Sequence, residues 1–177
     1  SSNRPSLLGD RTHFTFYPSD RRITGGAFPD LSGRSWSATA QITVPTSGAS
    51  GTLIDDGVRA GGWGLFMVDG RPTFLYKASD NAGALARMAG TEALLPGKHV
   101  LMVKVMNDKA GHSARATLQI DGKAVAEAQI PHIIPVLITN NAEIGWSFGS
   151  IDGTLPTPFH YGGAIDHVDI DLVGPGK

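Results

Sequence analysis

The stretch Ser-Trp-Ser-Ala-Thr-Ala-Gln-Ile-Thr-Val, residues 35–44, decides the fold class. Every even-numbered position in it is apolar and every odd-numbered position is polar. A β-strand with one buried and one solvated face produces this period of two, because successive side chains point to opposite sides of a sheet. Pro45 ends the pattern, since proline cannot donate a ladder hydrogen bond. The stretch therefore predicts a strand with Trp36 on its buried side.

Two Asp-Gly pairs, Asp69-Gly70 and Asp121-Gly122, each separate two runs rich in apolar residues. This dipeptide favours a tight hairpin turn, because both central positions of that turn need positive φ. The two pairs therefore predict two β-hairpins.

The rest of the chain also favours strands over helices. Residues 98–107 alternate with apolar side chains on both faces, Leu101, Val103 and Val105 on one and Val100, Met102 and Met106 on the other, which predicts a strand covered on both sides. The alanine-rich residues 82–93 fit helix or strand, and we interpret them as a strand. Twelve to fourteen strands follow, too many for an immunoglobulin fold. We predict an all-β, two-sheet antiparallel jelly-roll sandwich.

Composition narrows the class of protein. The 177 residues suffice for one domain, predicted over 12–177 after an N-terminal linker segment, 1–11. A formal net charge of -1 supplies no steering field, so we expect neither nucleic acid nor a membrane as partner. The absence of cysteine excludes disulfides, thiol catalysis and thiolate metal sites.

Two regions resemble known families. Residues 159–172, Phe-His-Tyr-Gly-Gly-Ala-Ile-Asp-His-Val-Asp-Ile-Asp-Leu, resemble the closing strands of a concanavalin-A-like (laminin-G-like) β-sandwich. Residues 3–18, Asn-Arg-Pro-Ser-Leu-Leu-Gly-Asp-Arg-Thr-His-Phe-Thr-Phe-Tyr-Pro, followed by 27–31 and 34–40, resemble the C-terminal region of bacterial arylsulfatases. This resemblance implies a domain that packs in cis against a sulfatase catalytic domain. The sequence does not fix the compartment, and a periplasmic or secreted bacterial location is favoured.

The catalytic motif of that family is not in this sequence. Those enzymes hydrolyse sulfate esters with a formylglycine made from Cys or Ser in a C/S-x-P-x-R motif, beside a calcium held by carboxylates. Neither version of the motif occurs here. The resemblance therefore implies a non-catalytic accessory domain without a cofactor, and we expect the chain alone to hydrolyse no sulfate ester.

A carbohydrate-binding, lectin-like module is the first alternative. Binding residues concentrate in the glycine-rich connections of a rigid sandwich. The candidates in or beside such connections are Asp55, Asp56, Trp63, Trp146 and Asp152. Ring faces suit the apolar side of a pyranose, and Trp146, within Gly-Trp-Ser-Phe-Gly, is the best candidate for an exposed ring. Trp63, between glycines, is expected in the core.

Calcium is an open alternative for the oxygen-rich segments, which we interpret as loops. These segments are Asp55-Asp56-Gly57, Asp80-Asn81 and Asn140-Asn141 with Glu143. Calcium takes six to eight oxygen ligands, and sandwiches of this type sometimes bind it at a loop edge. Turn formation explains each cluster without a metal, and no segment has the spacing of a dedicated calcium loop. We therefore predict no metal site.

A glycosidase is the second alternative, and it rests on the predicted strand 165–172. His167, Asp169 and Asp171 share one face, and same-face neighbours lie about 7 Å apart. That distance suits the two carboxylates of an inverting glycosidase, so a glycosidase that uses Asp169 and Asp171 is a hypothesis. A solvated strand face is the simpler interpretation. Ile165 and Val168 can both face the core only across a bulge, so we expect the Asp166 carboxylate to accept backbone N–H groups there.

Overall fold

The structure is a computed structural model that describes residues 9–58, 61–79, 85–134, 141–148 and 151–173. These residues contain two 3₁₀ turns, Pro18–Asp20 and Gly25–Ala27, and twelve strands. The strands are β1 (His13–Phe16), β2 (Arg22–Thr24), β3 (Ser35–Val44), β4 (Gly51–Val58), β5 (Gly61–Val68), β6 (Arg71–Lys77), β7 (Leu85–Ala89), β8 (Gly97–Asn107), β9 (Ala114–Ile120), β10 (Lys123–Ile130), β11 (Asn141–Ile144) and β12 (Ala164–Val173).

The strands form two antiparallel sheets of six, which confirms the predicted two-sheet sandwich. Sheet A has the order β1-β12-β3-β8-β9-β10, and sheet B has the order β2-β11-β4-β5-β6-β7. The chain therefore crosses between the sheets several times, as a jelly roll requires. In the part of the chain that the structure describes, no helix is long and apolar enough to cross a membrane.

The core lies between the sheets and confirms the alternation of β3. Trp36 is 2% exposed, and its ring centroid lies 4.5 Å from that of Trp63 on the opposite sheet. Both Asp-Gly hairpins are also confirmed, because Asp69 and Asp121 have φ of 51° and 52° and each is followed by a glycine with positive φ. Residues 85–89 of the ambiguous alanine-rich stretch form β7, an edge strand of sheet B.

Strand β8 is not covered on both sides, so that prediction was wrong. Leu101, Val103 and Val105 face the core, whereas Val100 and Met106 are 41% and 39% exposed on the outer face of sheet A. No second layer of structure covers this face among the described residues. Apolar side chains therefore stand on an open sheet face, between polar neighbours such as Lys104.

The outer face of sheet B, in contrast, is covered by the chain after β11. Phe66 and Leu75 form a small second core with Ile151 and Phe159 from that connection. This second core fixes the connection on the sheet, since buried apolar contacts are what order a loop.

Candidate functional site

A row of charged side chains crosses the edge of sheet B on its outer face. Glu143 of β11 is the direct cross-strand partner of Arg22 of β2 on one side and of Asp55 of β4 on the other. Arg22 Nη2 donates to Glu143 Oε1 over 2.9 Å, and the side chains are 45% and 8% exposed. Three segments far apart in sequence therefore place one exposed guanidinium over two buried carboxyl groups.

Burial raises the pKa of Asp55 well above its usual range, and the neighbouring Glu143 and Asp56 add to the shift. A buried carboxylate without a cation of its own is costly, so the group keeps its proton to a higher pH than an exposed aspartate does. The protonated carboxyl can donate a hydrogen bond to Glu143, which stays free to accept from Arg22.

Glu143 also fixes the loop that follows it. The backbone N–H of Phe148 donates to Glu143 Oε2 over 3.0 Å. One carboxylate therefore holds both the Arg22 guanidinium and the backbone of the residue that carries the Phe148 ring, which is 63% exposed.

The indole of Trp146 lies at the centre of this surface. The guanidinium carbons of Arg21 and Arg22 lie 5.3 and 5.7 Å from the Trp146 ring centroid, within cation–π range. The His160 ring stacks on Trp146 at 5.9 Å and 18°, and the Phe148 ring meets it edge-on at 6.3 Å and 74°. We name these five residues, Arg21, Arg22, Trp146, Phe148 and His160, the Trp146 cluster.

The two loop segments that carry the aromatic residues are bonded to β4. Gly51 has φ of 141°, and a Cβ there would stand 2.2 Å from the carbonyl oxygen of His160. Thr52 donates its N–H to the carbonyl of Phe159 and bonds through its hydroxyl to Ser147, at 3.1 and 2.7 Å. This close approach, which only glycine permits, holds the cluster in place before any ligand arrives.

The outer face of sheet A carries the residues of the glycosidase hypothesis. Asp171 bonds to His13 Nδ1 at 2.5 Å, while Asp169 accepts from Thr15 Oγ1 at 2.6 Å and lies 3.2 Å from His167 Nε2. The hydrogen bond and the charge of Asp171 raise the pKa of His13. Both carboxylates are therefore engaged in a network along the strand face, and their use in glycosidic hydrolysis stays a hypothesis.

The bulge in β12 is confirmed, because the register with β3 shifts between Ile165 and His167. The expected role of Asp166 was wrong. Its side chain is 77% exposed and bonds to the His167 ring instead of to backbone N–H groups. The bulge leaves the carboxyl pointing to solvent, where an adjacent imidazole is the available donor.

A polar groove of about 420 Å³ opens at the end of the same face. It is lined by Gln41, Ile42, Thr43, Lys98, His99, Val100, Asp121 and Asp166. Burial lowers the pKa of His99, but its bonds to Asp121 and the Leu95 carbonyl outweigh that effect and raise the pKa overall. Two of the groove's carboxyl groups thus already have imidazole partners.

Asp55 and Asp56 do not lie in a loop, which corrects our interpretation of that segment. They belong to β4, are 2% and 4% exposed, and share the strand with apolar neighbours. Trp63 is in the core at 1% exposure, so its ring offers no face to a ligand. Asp152 lies in the connection after β11, where it accepts from the N–H and hydroxyl of Thr154. Among the predicted candidates, only Trp146 lies in the cluster, with Asp55 buried beneath it.

Sequence reasoning missed Arg21, Arg22 and His160, which the fold alone brings to Trp146. The pair Arg21-Arg22 was not a usable signal, because about one adjacent pair of basic residues is expected by chance when 15 of 177 residues are Lys or Arg. Asp80, Asn81 and Asn140 of the calcium alternative lie outside the described residues. Within the described residues, no group of three carboxyl or imidazole side chains could hold a metal ion.

Comparison with known proteins identifies a class of fold. No protein-family model matches the chain, and no curated protein matches it. The chain is similar to the CBM40 domain of the Ruminococcus gnavus IT-sialidase bound to α2,3-sialyllactose, with 14% identity over 81% of this chain and 79% of that chain and a TM-score of 0.56. For the same domain bound to α2,6-sialyllactose, the values are 14% identity, 93% of each chain and 0.54.

A third similar structure is the binding domain of botulinum neurotoxin serotype D, with 12% identity, 97% of this chain, 40% of that chain and a TM-score of 0.53. The chain thus spans less than half of that structure. At these identities the likeness shows the fold, a two-sheet β-sandwich, and not the ligand.

Proposed function

We propose that this chain is a non-catalytic carbohydrate-binding module and that the Trp146 cluster is its glycan site. The observation that carries the proposal is the cluster itself. It places a 63% exposed Phe148 ring and two guanidinium groups around one indole, that of Trp146, on segments bonded to a rigid sheet. A sugar presents an apolar face and a ring of hydroxyls, and such a surface complements both.

The residues of the Trp146 cluster have different roles, which follow from their packing. Trp146 contacts His160 and both arginines, so it orients these groups. Phe148 offers the more open ring for stacking against a pyranose. The guanidinium N–H groups donate hydrogen bonds in fixed directions, which favours a particular arrangement of hydroxyls. Because the site is already ordered, little conformational entropy is lost on binding.

The similar fold of sialidase-associated domains bound to sialyllactose supports a glycan ligand, although the low identity transfers no residue. A role beside a sulfatase catalytic domain in cis is a separate part of the proposal. It rests on the sequence resemblance to arylsulfatase C-terminal regions. A carbohydrate-binding module there would hold a sulfated polysaccharide near the catalytic site.

The test is binding of the purified chain to a panel of immobilised oligosaccharides. We expect Phe148→Ala to weaken the binding of any retained glycan by about tenfold, because it removes the stacking surface. The matched control is Tyr17→Ala, since Tyr17 is also an exposed aromatic, at 52%, but contacts His167 on sheet A. Retention of no glycan, or equal losses in both variants, would contradict the proposed site.

A further inference from the structure

We propose that the Trp146 cluster selects sugars that carry a negative charge, a carboxylate or a sulfate, and that Arg21 binds the acidic substituent. This inference rests on the proposed glycan-binding function and adds the chemical class of the ligand. It follows from the charges of the cluster, from the backbone of Arg21 and from the packing around Trp146.

The two arginines of the cluster are not equivalent. Arg22 is neutralised by its 2.9 Å ion pair with Glu143. Arg21 is exposed, and no carboxylate pairs with it among the described residues; its recorded contact is with the Trp146 ring. The cluster therefore presents one uncompensated positive charge, held above an indole that also contacts the exposed Phe148 ring. An acidic sugar complements that combination, whereas a neutral sugar leaves the charge without a partner.

The backbone of Arg21 is unusual for an arginine. Its φ of 45° and ψ of -68° lie near the rare and strained γ-turn conformation. The conformation is held from both sides, because the Arg21 N–H donates to the Pro18 carbonyl and the Arg21 carbonyl accepts from Ile144. Such strain persists where the surroundings impose it, and it concentrates at ligand sites. Here it aims a guanidinium at the Trp146 ring.

Stacking over an indole leaves the guanidinium able to bind an anion. The N–H groups lie in the guanidinium plane and can donate two parallel hydrogen bonds to a carboxylate or a sulfate. Arg21 and Phe148 lie 5.3 and 6.3 Å from the Trp146 ring centroid, so one oligosaccharide can reach both, with a sugar ring on Phe148 and an acidic group at Arg21.

Nucleic acid fits this surface poorly, although it is also anionic. The net charge of -1 gives no extended basic footprint, and the positive charge at the cluster is a single local one. An acidic sugar needs one such contact, whereas a phosphate backbone needs many.

The experiment compares three sugars that share one scaffold. The probes are a neutral oligosaccharide, its uronate counterpart and its sulfate ester, titrated into the full chain by calorimetry. We expect the two acidic probes to bind at least about tenfold more tightly than the neutral one, and more weakly as salt rises. Comparison of the uronate and sulfate arms identifies which anion the site prefers.

Arg21→Gln should weaken binding of the acidic probes by about 10- to 100-fold, the effect of losing a hydrogen bond to a charged group. Arg21→Lys should restore part of that loss, because it returns the charge without the planar fork. The matched control is Arg115→Gln, since Arg115 is exposed on β9 of the other sheet. Should Arg21→Gln fail to fold, Arg21→Gly, which accepts positive φ, takes its place.

Equal binding of the neutral and acidic probes, with Phe148→Ala still harmful, would overturn the charge selectivity and leave the glycan site intact. Acidic binding that Arg21→Gln and Arg115→Gln reduce equally would also overturn it. Absence of binding to all three probes, and to the wider panel, would contradict the glycan site together with the inference.

Discussion

Arg21 shows how one residue can be costly to the fold and useful to a site. Its positive φ of 45° suits glycine better than any residue with a Cβ. At positions with negative φ, alanine is more stabilising than glycine, because glycine loses more backbone entropy on folding. The comparison of glycine with alanine therefore isolates the backbone strain from the lost side-chain contact.

We predict that Arg21→Gly is more stable than Arg21→Ala by about 1 kcal/mol, because both lose the contact with Trp146 and only alanine keeps the strain. Urea denaturation measures the difference. Lys104 provides the control, since it is exposed in the middle of strand β8, where alanine should be the more stable replacement. The account of Arg21 fails if alanine is the better replacement at both positions.

The raised pKa of Asp55 leads to a second prediction, about how the free energy of unfolding depends on pH. Burial, then the nearby Glu143, raises the pKa of Asp55 well above 3.8. In the unfolded chain the carboxyl loses its proton at ordinary acidic pH, and in the folded chain only at higher pH. The folded state thus binds more protons in that window, and this contribution to the free energy of unfolding falls as pH rises.

Asp55→Asn removes the ionisation, so its stability relative to the wild type should increase as pH is raised above about 4, toward neutrality. Denaturation at a series of pH values tests this. Asp108→Asn is the control of opposite sign, because hydrogen bonds from His112 and Ser113 lower the pKa of Asp108. A difference between Asp55→Asn and wild type that does not vary with pH would contradict the raised pKa.

Among the elements, strands whose own pattern alternates were predictable. Strand β3 has the predicted bounds, and the bulge of β12 lies where two core residues are one position out of register. Strand β4 was not predictable, because Asp55 and Asp56 are ionisable residues in a buried strand, and the groups beside Asp55, Glu143 and Arg22, come from elsewhere in the sequence. A local stretch of sequence shows hydrophobic periodicity and turn residues. It does not show which distant residue will lie beside a buried carboxyl group.

The packing of β3 against sheet B supports a prediction about the core. Trp36 contacts Trp63 and Phe74 across the two sheets, at ring distances of 4.5 and 6.4 Å. Trp36→Ala should therefore lower the free energy of unfolding by about 3–5 kcal/mol. Trp146→Ala is the matched control, since that ring is only partly buried and should cost less. A loss of no more than about 0.5 kcal/mol in Trp36→Ala, as for a surface substitution, would place Trp36 outside the core.

Strand β4 also supports the Trp146 cluster, because Gly51 packs directly against the backbone of His160. A Cβ on Gly51 would collide with the backbone of His160 and Tyr161 at 2.2 Å. Gly51→Ala should lower stability by about 1–3 kcal/mol and weaken glycan binding, because it displaces His160 from Trp146. Gly162→Ala is the control, since its nearest new contact is an ordinary 3.7 Å. Unchanged binding in Gly51→Ala would show that His160 does not help to order the cluster.

At the scale of the whole molecule, sequence reasoning found the architecture and only the centre of the candidate site. The all-β sandwich follows from alternation and turns repeated along the chain. The Trp146 cluster joins residues 21–22, 146–148 and 160 through sheet pairing and a covered outer face. Such convergence depends on the complete topology, so a single sequence could indicate Trp146 but not its neighbours.

The outer faces of sheets A and B differ in which side chains can bind a ligand. On sheet A, the carboxylates of β12 are engaged with imidazoles of β1 and β12, because Asp171 pairs with His13 and Asp169 pairs with His13 and His167. On sheet B, the indole of Trp146 contacts both the exposed Phe148 ring and Arg21, a cation that lacks a carboxylate partner in the described residues. We therefore locate ligand binding on the loop side of sheet B.

The measurement that tests this location most directly uses the three indole N–H signals of Trp36, Trp63 and Trp146 in a ¹H–¹⁵N spectrum. Trp36 and Trp63 are in the core, and Trp146 is at the proposed site. On titration with a glycan that the chain retains, we predict a saturable shift of the Trp146 indole signal, with the other two unchanged. Shifts confined to the groove of sheet A, at Gln41, Lys98 and Val100, with the Trp146 signal unmoved, would contradict the account.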